Sequence, residues 1–228
     1  MNEIILHLET SSTVCSVAIS EGKKVIANKE INDGYTHAEN LHEFVSECVK
    51  ECGISMKNLN AVAVSKGPGS YTGLRIGVSA AKGYAVALSI PLLSVNSLVV
   101  LSSQAKKISA DSESLFVPMI DARREEVYSG LLDGDLNFLK ETSAVILTEE
   151  TTNFFPHNQP FYFFGSGAEK AKSYMDKYQA KFLPDIEASA IHMVEPAVKK
   201  FQNAEFEDVA YFEPFYLKEF FTTAIIRK

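Results

Sequence analysis

Three observations predict an α/β protein in which mixed sheets are covered by helices. Short apolar strands open the chain in a meander, helices and strands then alternate, and the same order starts again in the second half. Ile4–Glu9 reads as the first strand, and Thr10-Ser11-Ser12-Thr13 as a polar turn. Val14–Ser20 alternates as a second strand, and Glu21-Gly22-Lys23-Lys24 turns the chain into a third, Val25–Ile31. Thr36–Cys52 has the period of an amphipathic helix, with Leu41, Phe44, Val45, Cys48, Val49 and Cys52 on one face. Another face carries Glu39, Glu43, Glu47 and Glu51, either a solvated ladder or a surface for a basic partner.

Ala61–Ser65 reads as a buried strand, and the stretch that follows organises the chain. Gly67, Pro68, Gly69, Ser70, Tyr71 and Thr72 form a glycine loop that turns sharply and opens a helix over Thr72–Ser89, with Ser70 and Thr72 as N-cap candidates. Gly73, Gly77, Ala81 and Ala85 lie four apart on one row of that helix, and Ser79, Gly83 and Ala87 on a second. Its charge is confined to a strip holding Arg75 and Lys82. Glycine costs about 1 kcal/mol against alanine inside a helix, so Gly77 and Gly83 require a packing reason. Either the helix is sandwiched within its own domain, or one flank packs on a second protein. The loop lacks the Gly-Lys-Ser/Thr end of a P-loop, and its glycines miss the dinucleotide spacing.

A strand near Leu92–Val95 and a helix over Ser97–Lys107 complete the first half. The polar Ser109–Ser114 reads as a junction, dividing the chain into an N-terminal lobe, 1–108, and a C-terminal lobe, 109–228. Leu115–Asp121, Val127–Leu132 and Phe138–Leu147 are the strands of a second meander. Phe161–Phe164 ends at a glycine turn before a helix reaching about Tyr178, and Ala188–Phe201 is a last helix that Pro196 kinks or restarts. The tail from Phe215 carries Phe220, Phe221, Ile225 and Ile226, so it docks on its own sheet or on a partner.

The 228 residues suffice for one large domain or two small lobes. A net charge of −7 disfavours a protein that holds nucleic acid by itself. Three cysteines within apolar patterns, no charged leader and no apolar run near 18 residues predict a soluble, cytoplasmic protein without membrane contact. No metal is expected: His37 and His42, five apart, diverge by about 140° on a helix. Glu9 and Asp121, each ending a strand, form the best carboxylate pair at the mouth of a cleft, or else merely cap turns.

Several stretches together resemble the TsaB (YeaZ) family. Gly67 to Gly77 matches its G-P-G-S-[FY]-T-G-[LI]-R-[IV]-G signature at every position. Ile5 to Ser11, Ile120-Asp121-Ala122-Arg123 with Glu126-Val127-Tyr128, Gly165 to Ala168, and Pro214-Phe215-Tyr216-Leu217-Lys218 resemble further family motifs in order. The resemblance implies two lobes of the actin/Hsp70/sugar-kinase type, with an RNase H-like architecture. It implies a non-catalytic relative of TsaD that activates this transferase in the synthesis of threonylcarbamoyladenosine in tRNA. The H-x-x-x-H pair that holds metal in TsaD does not occur here. The implied partner face is the helices at Thr36–Cys52 and Thr72–Ser89, with Glu39, Glu43, Glu47, Gly73, Arg75, Gly77, Ala81, Lys82 and Ala85. Glu9, Thr10, Ser11 and Asp121 would be a vestigial cleft. A TsaE-type ATPase is the implied third protein; tRNA is reached only indirectly, ATP only at the partner complex, and pairing of the lone chain with itself is left open. Glu9 stands where members commonly have Asp, and Lys218 replaces the usual Arg. The alternative is an independent ATPase, phosphotransferase or peptidase that uses Glu9 and Asp121.

Overall fold

The computed structural model describes residues 2–34, 36–109, 114–148 and 154–218. Most of the predicted junction and the last ten residues of the tail lie outside these. The chain forms β1(Ile4–Glu9), β2(Val14–Glu21), β3(Lys24–Asn32), α1(His37–Glu51), β4(Ala61–Gly67), α2(Tyr71–Leu88), β5(Leu92–Asn96) and α3(Ser97–Ser109). The second half forms β6(Leu115–Asp121), β7(Glu126–Leu132), β8(Phe138–Ile146), β9(Phe161–Phe164), α4(Ala168–Met175), β10(Ala180–Leu183) and α5(Ala190–Gln202). The predicted elements are therefore present, with ends that coincide or differ by up to three residues. A 3₁₀ turn at Met56–Asn58 and the edge strand β10 were not anticipated. α5 runs through Pro196 as one helix.

The two sheets have one topology. The first runs β3-β2-β1-β4-β5 and the second β10-β9-β6-β7-β8. In each, a first strand pairs antiparallel with the second and parallel with the fourth: Leu6 faces Ile19 and Val62, and Phe116 faces Leu132 and Tyr162. Two crossover strands thus extend a three-stranded meander, which requires helical connections across the sheet face.

The helices do not respect the predicted lobe boundary. α3 closes the first half yet packs on β6, β7 and β9, whereas α5 comes after β10 and lies across β1, β2, β3 and β5. Between the sheets they build one core in which Ile5, Ala63 and Leu93 meet Met193 and Val198, and Leu101 meets Phe116 and Phe164. The outer face of the first sheet, with Leu6, Leu8, Val62 and Val64, packs on α1 and α2. The outer face of the second packs on α4 through Ala168 and Met175. Ser16 of β2 accepts from the Ala190 amide at 3.0 Å, standing in for the missing side-chain cap of α5. Residues 186–218 belong structurally with the first sheet as much as with the second half.

His7 is buried in β1 with Nε2 2.8 Å from the Ser20 hydroxyl, and burial lowers its pKa to about 3. The unfolded chain therefore binds one more proton than the folded one between pH 6.5 and about 3, and stability falls as pH drops through that window. The expected loss is about 2 kcal/mol at pH 5. Urea titrations from pH 7 to pH 4 check it, and His7→Gln should flatten the acid limb.

Candidate partner face and inter-lobe cleft

The glycine loop is a seat for the turn after β1. The Ser70 amide donates to the Ser11 carbonyl at 2.7 Å, and the Thr10 hydroxyl to the Gly73 carbonyl at 2.7 Å. A Cβ on Gly69 would overlap the Ser11 carbonyl oxygen, on Gly73 the Thr10 carbonyl oxygen, and on Gly77 the Thr10 hydroxyl. Only a backbone without side chains permits this approach. Ser70, not Thr72, caps α2 by accepting from the Gly73 amide at 3.2 Å. Both amides are occupied from within.

This packing corrects half of the expected partner face. Gly73, Gly77, Ala81 and Ala85 are buried against their own lobe. Lys82 is tied inward as well, donating to the Ala210 carbonyl at 3.3 Å and the Phe212 carbonyl at 2.9 Å. The opposite row is open. Ser79, Gly83 and Ala87 are exposed, Val86 is 67% exposed, and a Cβ on Gly83 would meet nothing within 4 Å. Val209 and Ala210 border this row and form a shallow apolar groove with Gly83, Val86 and Ala87. Arg75 is exposed, with its guanidinium 4.2 Å above the Tyr71 ring. On α1, Glu39 and Glu43 are exposed, and Glu47 lies 3.8 Å from Lys29. His42 joins α1 to α2 through a 2.7 Å contact with the Tyr84 hydroxyl.

The inter-lobe cleft has a volume of about 230 Å³. It is lined by Ser11, Thr13, Ile120, Ser166, Asp185 and Glu187 among others, and by no lysine or arginine. Glu9 lies behind this wall, fully buried, accepting from the Ser11 amide at 2.7 Å. Burial raises its pKa against the opposing hydrogen bonds of the Ser11, Ser65 and Thr10 groups. Asp121 is half exposed and accepts from the Arg123 amide at 2.6 Å and Lys170 Nζ at 2.9 Å, which hold its carboxyl below the usual range despite partial burial. Each carboxylate is committed to its own turn. The described lining offers no cation for the phosphates of a nucleotide, and the carboxylates on it are Asp185 and Glu187. Among the described residues no three His, Cys, Asp or Glu side chains gather as a metal set. No described helix is long and apolar enough to cross a membrane.

Ionised Glu9 costs stability as pH rises from 4.5 through its raised pKa. Glu9→Gln keeps an acceptor for the Ser11 amide and is expected to raise the melting temperature at pH 7. The advantage should shrink toward pH 4 in paired thermal melts.

Paired sheets of one topology, with α3 and α5 packed between them, define a two-lobed α/β fold of mixed sheets covered by helices. Two Pseudomonas aeruginosa structures superpose on it: YeaZ, at TM-score 0.80 and 24% identity over 94% of this chain and all of the other, and an uncharacterized protein with similarity to peptidase YeaZ, at TM-score 0.84 and 23% over 95% and 100%. Component A of the Acidaminococcus fermentans (R)-2-hydroxyglutaryl-CoA dehydratase shares the fold at TM-score 0.52 and 9% identity, covering 89% of this chain and 99% of that one. The family model for TsaD, tRNA N6-adenosine threonylcarbamoyltransferase, matches residues 24–220. Three relatives carry the name tRNA threonylcarbamoyladenosine biosynthesis protein TsaB. The Bacillus subtilis one is 35% identical over 56% of this chain and 54% of its own length, and the Escherichia coli one 32% over 64% and 63%. The Buchnera aphidicola (Schizaphis graminum) one is 30% identical over 70% and 71%. The chain thus spans little more than half the length of the first of these relatives and under two thirds of the second. The chain belongs to the TsaB (YeaZ) family, akin to TsaD.

Proposed function

We propose that this chain is a non-catalytic subunit in the synthesis of tRNA threonylcarbamoyladenosine, docking on a TsaD-type threonylcarbamoyltransferase and activating it. The observation that carries the reading is Gly83: a glycine in the middle of an 18-residue helix, exposed, with no neighbour to account for it. Its cost of about 1 kcal/mol is explained if a second helix packs there, backbone against backbone. The face comprises Glu39 and Glu43 of α1, and Arg75, Ser79, Gly83 and Val86 of α2. It is the same region of the chain that the family resemblance implied, turned to the other side of α2. The names of the TsaB relatives supply the pathway. A TsaE-type ATPase joins the pair, any ATP enters at the complex, and tRNA is met by the transferase. The same face pairs two copies when the chain is alone.

Reconstitution tests the proposal. TsaC-, TsaD- and TsaE-type proteins, threonine, bicarbonate, ATP and tRNA are combined with or without this chain, and the modified nucleoside is quantified by mass spectrometry. Product is expected only with the chain, and undiminished with Glu9→Gln/Asp121→Asn. Equal product without the chain overturns the activator reading. Product that needs the chain but disappears with the double variant returns chemistry to the cleft.

A further inference from the structure

We infer that Tyr216 is a positioning residue that fixes Arg75 on the partner face, where its guanidinium meets a carboxylate of the protein partner. The inference rests on the proposed docking function. Arg75 lies on the exposed side of α2 with its guanidinium 4.2 Å over the Tyr71 ring. The Tyr71 ring lies 4.7 Å from that of Tyr216, tilted by 35°. The three side chains form one stack, with the cation at its outer end.

Tyr216 is itself held at both sides. The Phe215 amide donates to the Lys66 carbonyl at 2.7 Å, and the Phe215 carbonyl oxygen would lie 2.8 Å from a Cβ on Gly67. On the far side, Lys218 pairs with Glu126 on β7 of the second sheet. Residues 215–218 therefore tie the glycine loop to the second sheet and seat Tyr216 under the first turn of α2. A long cationic side chain on a helix surface samples many rotamers, and stacking on a fixed ring removes most of that freedom before binding. A guanidinium held in one plane presents its paired N–H groups to a planar anion, for which a carboxylate is the protein group. The face is otherwise acidic at Glu39 and Glu43, so the partner must carry both basic groups and an acid, which fixes orientation.

The test measures affinity for the TsaD-type transferase by calorimetry without tRNA, alongside proton shifts of the Arg75 side chain in the isolated protein. Arg75 δ protons should be shifted upfield by the Tyr71 ring in the wild type and in Tyr216→Phe, and lose that shift in Tyr216→Ala. Tyr216→Ala should weaken binding about fivefold, Tyr216→Phe should not, and Arg75→Ala/Tyr216→Ala should bind no worse than Arg75→Ala. Retained Arg75 shifts in Tyr216→Ala overturn the inference, as does Arg75→Ala binding at wild-type strength. A further loss in the double variant also overturns it, because Tyr216 would then be acting on the fold. Absent binding by the wild type would instead overturn the docking function, while the shifts still decide whether Tyr216 holds Arg75.

Discussion

Gly83→Leu is expected to yield a folded chain that no longer joins the transferase. Nothing lies within 4 Å of a Cβ at this position, so leucine meets no obstacle in the isolated protein. Leucine is also the better helix former by roughly 0.8 kcal/mol, and the melting temperature should hold or rise. At the interface the same side chain stands where a neighbouring backbone approaches, and an overfilled contact costs about 1–3 kcal/mol or more. The affinity should fall roughly a hundredfold, measured by calorimetry against the wild type, with sedimentation reporting on self-association. Undiminished binding by a folded Gly83→Leu protein would remove this row from the interface.

Six residues earlier on the same helix, the opposite outcome is expected. Gly77→Leu should fail to fold, or lose about 3 kcal/mol or more in urea denaturation, because its Cβ alone would overlap the Thr10 hydroxyl. The clash involves a side chain, so a smaller change is separable. Gly77→Ala should be partly rescued by Thr10→Ala, although that variant gives up the hydrogen bond to the Gly73 carbonyl. Gly73→Ala should not be rescued, because it meets the main-chain oxygen of the same residue. Equal stability of Gly77→Ala and the wild type would show that the turn yields, and that the loop is not its seat.

The contrast between Gly77 and Gly83 also shows where sequence reasoning stops. Period and composition reveal two small-residue rows on α2, but which row faces inward depends on Thr10, 63 positions before Gly73. The same holds for Lys82, which reads as a free cation beside Arg75 until the carbonyls of residues 210 and 212 are brought to it. Strands buried on both faces, such as β1 and β6, were legible to the residue, because such burial leaves apolar runs between polar turns. β10 was not: four residues at a sheet edge, half exposed and carrying Lys181, give no period to detect. The paired meanders were visible as repeated order, yet the destination of α5 was not, since an apolar helix face does not name the sheet it will cover. Glu9 could be read as a strand-end carboxylate, but its complete burial follows from the close seat of α2.

The return of α5 to the first sheet bears on how the protein is made. As the chain leaves the ribosome, all five strands of the first sheet emerge by residue 96, about a hundred residues ahead of the helix that covers one of its faces. Until α5 arrives, α3 alone covers that side, at β4 and β5, and Ile5 on β1 lacks the helix that lies across it. Neither half can be finished as a free-standing unit, and synthesis of the far end of the chain is what completes the near one.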